Sequence, residues 1–158
     1  MPADSQVSNQ TETDFAGRRD ISVKIQKKFF SGGKETMSMH TVAVMGLGVR
    51  GKIHLHGLLE NPDYYKVVGL CDIDEPKMKA VAEEYHLDDV PLFTDAEEML
   101  KETRPEIFVF VTYPDLRLSV IQLAVKYGVK GISFEKPMAE SLQEAKKIVK
   151  LCHDNGIK

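Results

Sequence analysis

An apolar run at residues 41–45 (TVAVM) leads without a break into Gly46-Leu47-Gly48-Val49-Arg50-Gly51, and a helix-compatible stretch follows to about Glu60. Few chains can satisfy that order of elements except by turning from a buried strand into a helix around three glycines. Gly46 permits the tight turn, Gly48 leaves its backbone open to a pyrophosphate, and Gly51 lets helix and strand pack closely. The helix start then offers unpaired N–H groups and a partial positive charge to phosphate oxygens. Gly46, Gly48, Val49, Arg50 and Gly51 are therefore the candidate phosphate-binding set. At Arg50 the backbone N–H is expected to matter more than the side-chain charge. A glycine-rich turn without a ligand is the bland alternative, weakened by the strand before it and the helix after it.

The same alternation continues along the chain. Residues 66–71 (KVVGLC) form a second apolar run, closed by Asp72, and Asp74 with Pro76 predicts a helix to about His86. Thr94-x-x-Glu97 and Ser141-x-x-Glu144 match the capping box and predict two further helix starts. Residues 106–112 (EIFVFVT) are continuously apolar rather than alternating, as in a parallel strand covered on both faces. A helix over about 116–127, a strand over 131–134 and a helix over about 142–154 complete the series. The expected fold is α/β, a doubly wound parallel sheet of Rossmann type. Asn155-Gly156 ends the last helix, and Ile157-Lys158 reads as the first step of another strand, so the domain is expected to be cut before its last strand. An unpaired sheet edge of that kind predicts aggregation or a homo-oligomer.

Asp72 lies 21 residues after Gly51, at the end of the second strand. A carboxylate there accepts the hydroxyls of an adenosine ribose and repels a 2′-phosphate. Ile73, rather than an arginine, follows it. NAD is favoured over NADP. A plain strand-end aspartate is the alternative, and Asp74 is better explained as a helix cap. His54 and His56 are two apart on one helix and so do not share a face, which argues for packing or a contact near the turn rather than a metal pair. Cys71 reads as a buried strand residue with nothing nearby to lower its pKa.

Composition narrows the classes. The 158 residues carry 21 Lys+Arg against 24 Asp+Glu, a net charge of −3, which lacks the footprint of a nucleic-acid binder. The sequence has no apolar run near the roughly 20 residues of a membrane span. The two cysteines, Cys71 and Cys152, lack metal-type spacing, so neither a disulfide framework nor a metal site is expected, and the cytoplasm is the expected address. Residues 1–39 are polar and lack apolar period over their first half, and read as a disordered or mis-assigned extension, with translation starting at Met37 or Met39. Arg18-Arg19 invites an export-signal reading, but Asp20, Lys24, Lys27 and Lys28 interrupt every apolar candidate after it.

Glu135-Lys136-Pro137 follows the strand at 131–134. With the 46–54 stretch (GLGVRGKIH), the strand ending in Asp72 and a turn at Thr112, it resembles the Gfo/Idh/MocA family, the group of glucose–fructose oxidoreductase and inositol dehydrogenase. The resemblance covers about residues 40–158. It implies that the 46–51 turn holds a pyrophosphate and Asp72 the adenosine ribose. It also implies that Thr112 lines the nicotinamide side, that Glu135 contacts the nicotinamide ribose region, and that Lys136 is the catalytic, proton-handling residue. Two departures stand out. The family's Thr-Pro-Asn turn with a histidine three positions later is here Thr112-Tyr113-Pro114-Asp115-Leu116-Arg117. The family's second, substrate-binding domain has no counterpart before Lys158. The resemblance thus implies the NAD-binding domain of an oxidoreductase acting on a sugar, polyol or related CH–OH compound. Two alternatives remain: a stand-alone NAD-binding module without catalysis, and an S-adenosylmethionine-dependent methyltransferase, which also uses a glycine turn and a strand-end acid.

Overall fold

A computed structural model describes residues 38–158, and the expectations for the extension before them lie outside the described residues, apart from Ser38 and Met39. Strands β1 (His40–Met45), β2 (Tyr65–Cys71), β3 (Leu92–Phe93), β4 (Ile107–Phe110) and β5 (Gly131–Phe134) alternate with helices. These are α1 (Val49–Leu59), α2 (Glu75–Glu84), α3 (Ala96–Thr103), α4 (Arg117–Lys126) and α5 (Leu142–Asp154). All strand pairs are parallel, and the spatial order is β3-β2-β1-β4-β5.

That order follows from the two faces of β1. Val42 and Val44 point to one side, where Leu55 of α1 and Met78, Val81 and Ala82 of α2 close over them. Ala43 points to the other, into a cluster with Met99 and Leu100 of α3, Val120 and Ile121 of α4 and Ile148 of α5. Both faces are dry, which is why β1 and β4 read as unbroken apolar runs. The chain changes face between β3 and β4. β1 and β4 therefore lie side by side while their following segments leave toward opposite layers, and the carboxyl ends of the two strands border a crevice.

Three local expectations change. The helix expected from Thr94-x-x-Glu97 starts one residue later, because the Asp95 carboxylate accepts the Glu98 N–H at 2.8 Å. An ionised acceptor outcompetes the threonine hydroxyl for that role. The strand expected over 106–112 stops at Phe110: Val111 N–H still bonds Met45 O at 2.8 Å, and the chain then bends into a single 3-10 turn, Pro114–Leu116, ahead of α4. β3 has only two residues, too short to register as an apolar run. At the other edge, Lys158 N–H bonds Lys130 O at 3.0 Å and Ile132 N–H bonds Lys158 O at 2.8 Å, so the final residue pairs along the outer side of β5.

Candidate functional site

The glycine turn joins β1 to α1 at the edge of the crevice. Gly46 has φ +84°, and a Cβ there would collide with the Val111 carbonyl of the neighbouring strand. A Cβ at Gly51 would collide with the Gly46 carbonyl. Those two glycines are dictated by the chain's own packing. Gly48 is different: its φ of −67° suits any residue, and a Cβ there meets nothing within 4 Å. The fold gives no internal reason for glycine at 48. It is also the N-cap of α1, with no side chain capping the helix and no acid in the first turn. By contrast α2, α3 and α5 are capped by Asp74, Asp95 and Ser141. The missing side chain leaves an open cradle beside uncapped N–H groups, which fits a pyrophosphate.

Asp72 stands at the end of β2, 7% exposed. Its Oδ2 accepts the Leu47 N–H at 2.6 Å, and its Oδ1 accepts the Asp74 N–H at 3.0 Å and lies 2.9 Å from Lys77 Nζ. Burial pushes this carboxyl upward. The Asp74 and Leu47 N–H groups and Lys77 outweigh burial and leave it below the ordinary aspartate range. A carboxylate with two oxygens retains acceptor capacity for a hydroxyl. Ile73 beside it is 90% exposed, an apolar side chain offered to solvent at the crevice rim.

At the other end, the Glu135 carboxylate after β5 is reached from α1. His54 Nε2 lies 2.9 Å and Arg50 Nε 3.3 Å from its Oε1, and Arg50 Nη2 lies 3.4 Å from its Oε2. The hydrogen bond from His54, helped by Arg50, holds Glu135 below the usual glutamate range against some desolvation. The Arg50 side chain thus reaches Glu135, a contact beyond the backbone N–H expected to matter more at this position. His54 makes the contact expected near the turn, whereas His56 faces Tyr85 on α2. Lys136 is exposed, and the Lys136–Pro137 peptide is cis.

Between these ends sits Thr112, whose Oγ1 is buried with no hydrogen-bond partner among the described residues. Arg117 lies beneath the same turn, 2% exposed, with its guanidinium 5.4 Å from the centre of the Phe134 ring. Nη2 reaches the Thr112 carbonyl at 3.4 Å, while Nε and Nη1 have no partner among the described residues. Desolvation lowers the Arg117 pKa, and nearby Glu135 opposes that shift.

The geometry therefore brings the turn and Asp72 into direct contact, and ties Glu135 to the same helix from the far side. Lys77, His54 and Arg117 were not among the residues singled out as site members from the sequence. For Lys77 a signal existed, a lysine in the first turn of the helix that Asp74 caps. Among the described residues no group of His, Cys, Asp and Glu has the arrangement of a metal centre, and no helix is long and apolar enough to cross a membrane.

A parallel sheet in this order, with a glycine turn and a strand-end acid at its switch point, defines a dinucleotide-binding domain of Rossmann type. Residues 40–158 match the family described as "Oxidoreductase family, NAD-binding Rossmann fold", and the chain belongs to that family, Gfo/Idh/MocA. An uncharacterized protein from Saccharomyces cerevisiae is 27% identical over 122 residues, which are 77% of this chain and 35% of the yeast protein. The inositol 2-dehydrogenase/D-chiro-inositol 3-dehydrogenase of Lacticaseibacillus casei is 28% identical over 108 residues, 68% of this chain and 31% of that enzyme. Among solved structures, the WlbA dehydrogenase from Bordetella pertussis, crystallised with NADH and UDP-GlcNAcA, superposes with a TM-score of 0.68 at 21% identity. That alignment covers 77% of this chain and 36% of WlbA. The chain spans about a third of the length of these two relatives and of WlbA.

Proposed function

We propose that the described domain binds NAD along the carboxyl edge of its sheet and serves an oxidoreductase acting on a CH–OH compound of the sugar or polyol class. The observation that carries the reading is Gly48, a glycine the fold does not need, at an uncapped helix start beside a strand-end carboxylate. The N–H groups of Val49 and Arg50 would face the diphosphate, and Asp72 would accept the adenosine ribose hydroxyls. Exposed Ile73 offers apolar contact for the adenine. Thr112, with an unused buried hydroxyl, and Glu135 would serve the nicotinamide end.

When bound, the nicotinamide supplies hydride acceptance at C4. The role of the chain's own residues is to hold that ring and to move a proton. Lys136, as the free amine, would take the substrate hydroxyl proton as the C–H bond gives up its hydride, leaving a carbonyl product. General-base help of this kind is worth about 10²–10⁴-fold. The inositol and UDP-sugar named for the relatives support the substrate class. One observation favours a second reading, binding without turnover by this chain: Lys136 is exposed, and among the described residues no hydrogen bond positions its amine. Unpositioned groups forfeit most of their catalytic advantage.

The test is a titration of NADH, followed by nicotinamide fluorescence, into the wild type and Gly48→Val. The variant should keep its melting temperature and lose at least about tenfold in affinity, or about 1.4 kcal/mol. Equal affinity in both would remove the turn from the site. Single-turnover reduction of NAD with myo-inositol then separates the two readings.

A further inference from the structure

The adenosine-ribose end of a Rossmann site chooses between NAD and NADP by charge: a bare carboxylate repels a 2′-phosphate, and a cation beside it attracts one. Asp72 is not bare. Lys77 Nζ lies 2.9 Å from its Oδ1 and 4.0 Å from Asp74 Oδ2, and two backbone N–H groups complete its surroundings. The repulsion that Asp72 alone would exert on a phosphate is therefore largely cancelled where the ribose would sit.

Lys77 is placed to do more than cancel. It is the third residue of α2, at the positive end of that helix, and its side chain is 40% exposed on a rotatable four-carbon stem. An open groove of about 640 Å³ runs between α1 and α2 from the glycine turn, lined by Leu47, Gly48, Val49, Lys52 and Lys77. Lys52 pairs with Glu84 across that groove, and Lys77, paired with Asp72 at the ribose end, would turn from that acid to meet a phosphate. Of the nearby acids, Glu75 pairs with Lys79 at 2.7 Å, while Asp74 caps α2 through Oδ1 and keeps Oδ2 4.0 Å from Lys77 Nζ.

We propose that Lys77 sets cofactor choice, by neutralising Asp72 against NAD and pairing with the 2′-phosphate of NADP, so that the domain takes both dinucleotides. This inference rests on the dinucleotide reading above. The experiment is calorimetric titration of NAD and NADP into the full chain, as wild type, Lys77→Met and Lys77→Arg. In the wild type the two dissociation constants should agree within about tenfold, since Lys77 offsets the charge of Asp72 beside the ribose. Lys77→Met should weaken NADP by about tenfold or more and NAD by less than about threefold, and Lys77→Arg should restore NADP. Lys77 is half-buried against Asp72, and a cooperative melt in each variant will show that it folds. A wild type that rejects NADP more strongly than this, or a Lys77→Met that shifts both cofactors alike, overturns the inference and leaves the dinucleotide reading standing. Failure of the wild type to bind either one removes both.

Discussion

His54 donates from Nε2 to Glu135 Oε1 at 2.9 Å, joining the first helix after the glycine turn to the segment that follows the fifth strand. With Arg50 on the same carboxylate, this contact bridges the crevice between β1 and β5 across the end of β4, fixing its width there.

The bridge makes Glu135 acid-sensitive in a defined direction. Its carboxyl titrates below the ordinary glutamate value because His54 and Arg50 bond its ionised form. A carboxyl depressed by folding adds stability that is complete above the unfolded value, about 4.3, and that is lost as pH falls through the lower folded value. Carbon-detected NMR should show Glu135 titrating below the value of an unstructured glutamate, and His54→Ala should return it toward that value. An unmoved midpoint in that variant would break the link.

Two glycines of one turn should behave oppositely in melting experiments. Gly51→Ala drives a methyl into the Gly46 carbonyl and should cost about 3 kcal/mol or more, because backbone cannot give way as a side chain can. Gly48→Ala enters open space and should leave stability within about 0.5 kcal/mol of wild type.

Burial pushes the Cys71 thiol up to about 12, with Asp95 and Asp72 adding to the effect, while Cys152 is raised by a milder desolvation. Iodoacetamide at pH 8 should therefore modify Cys152 first and spare Cys71 until the domain unfolds. Peptide mass spectrometry reads the order, and early labelling of Cys71 would contradict the packing of β2.

Arg117 is a buried cation with two unpartnered nitrogens under an aromatic ring. Replacing it with an apolar side chain of similar length removes a desolvation cost that one long bond to the Thr112 carbonyl, the Phe134 ring and the charge of Glu135 offset only in part. Arg117→Met should raise stability by about 1–3 kcal/mol in denaturant melts. A loss of stability would mean that the guanidinium finds partners in solution.

Much of the fold was legible because both sheet faces are covered, so the strands declare themselves as unbroken apolar runs between capped helices. The bounds of β5 and α5 were read to the residue for that reason. β3 escaped because two residues carry no period, and the start of α3 was misplaced because Thr94 and Asp95 both present capping oxygens and only geometry chooses between them. In the site, spacing pointed to the glycine turn and Asp72, and motif resemblance to Glu135 and Lys136. The Leu47 amide on Asp72 and the His54 ring on Glu135 were invisible, since they lie 25 and 81 positions from the acids they bond. No local pattern reports such a contact.

The 2.6 Å bond from the Leu47 amide to Asp72 gives that acid a second duty. The group that would read the sugar also buttresses the loop that would cradle the diphosphate, so recognition and architecture share one side chain. Anyone retuning cofactor preference in this domain would do better to edit Lys77 on the periphery than the acid, whose removal takes away a prop along with a selectivity element.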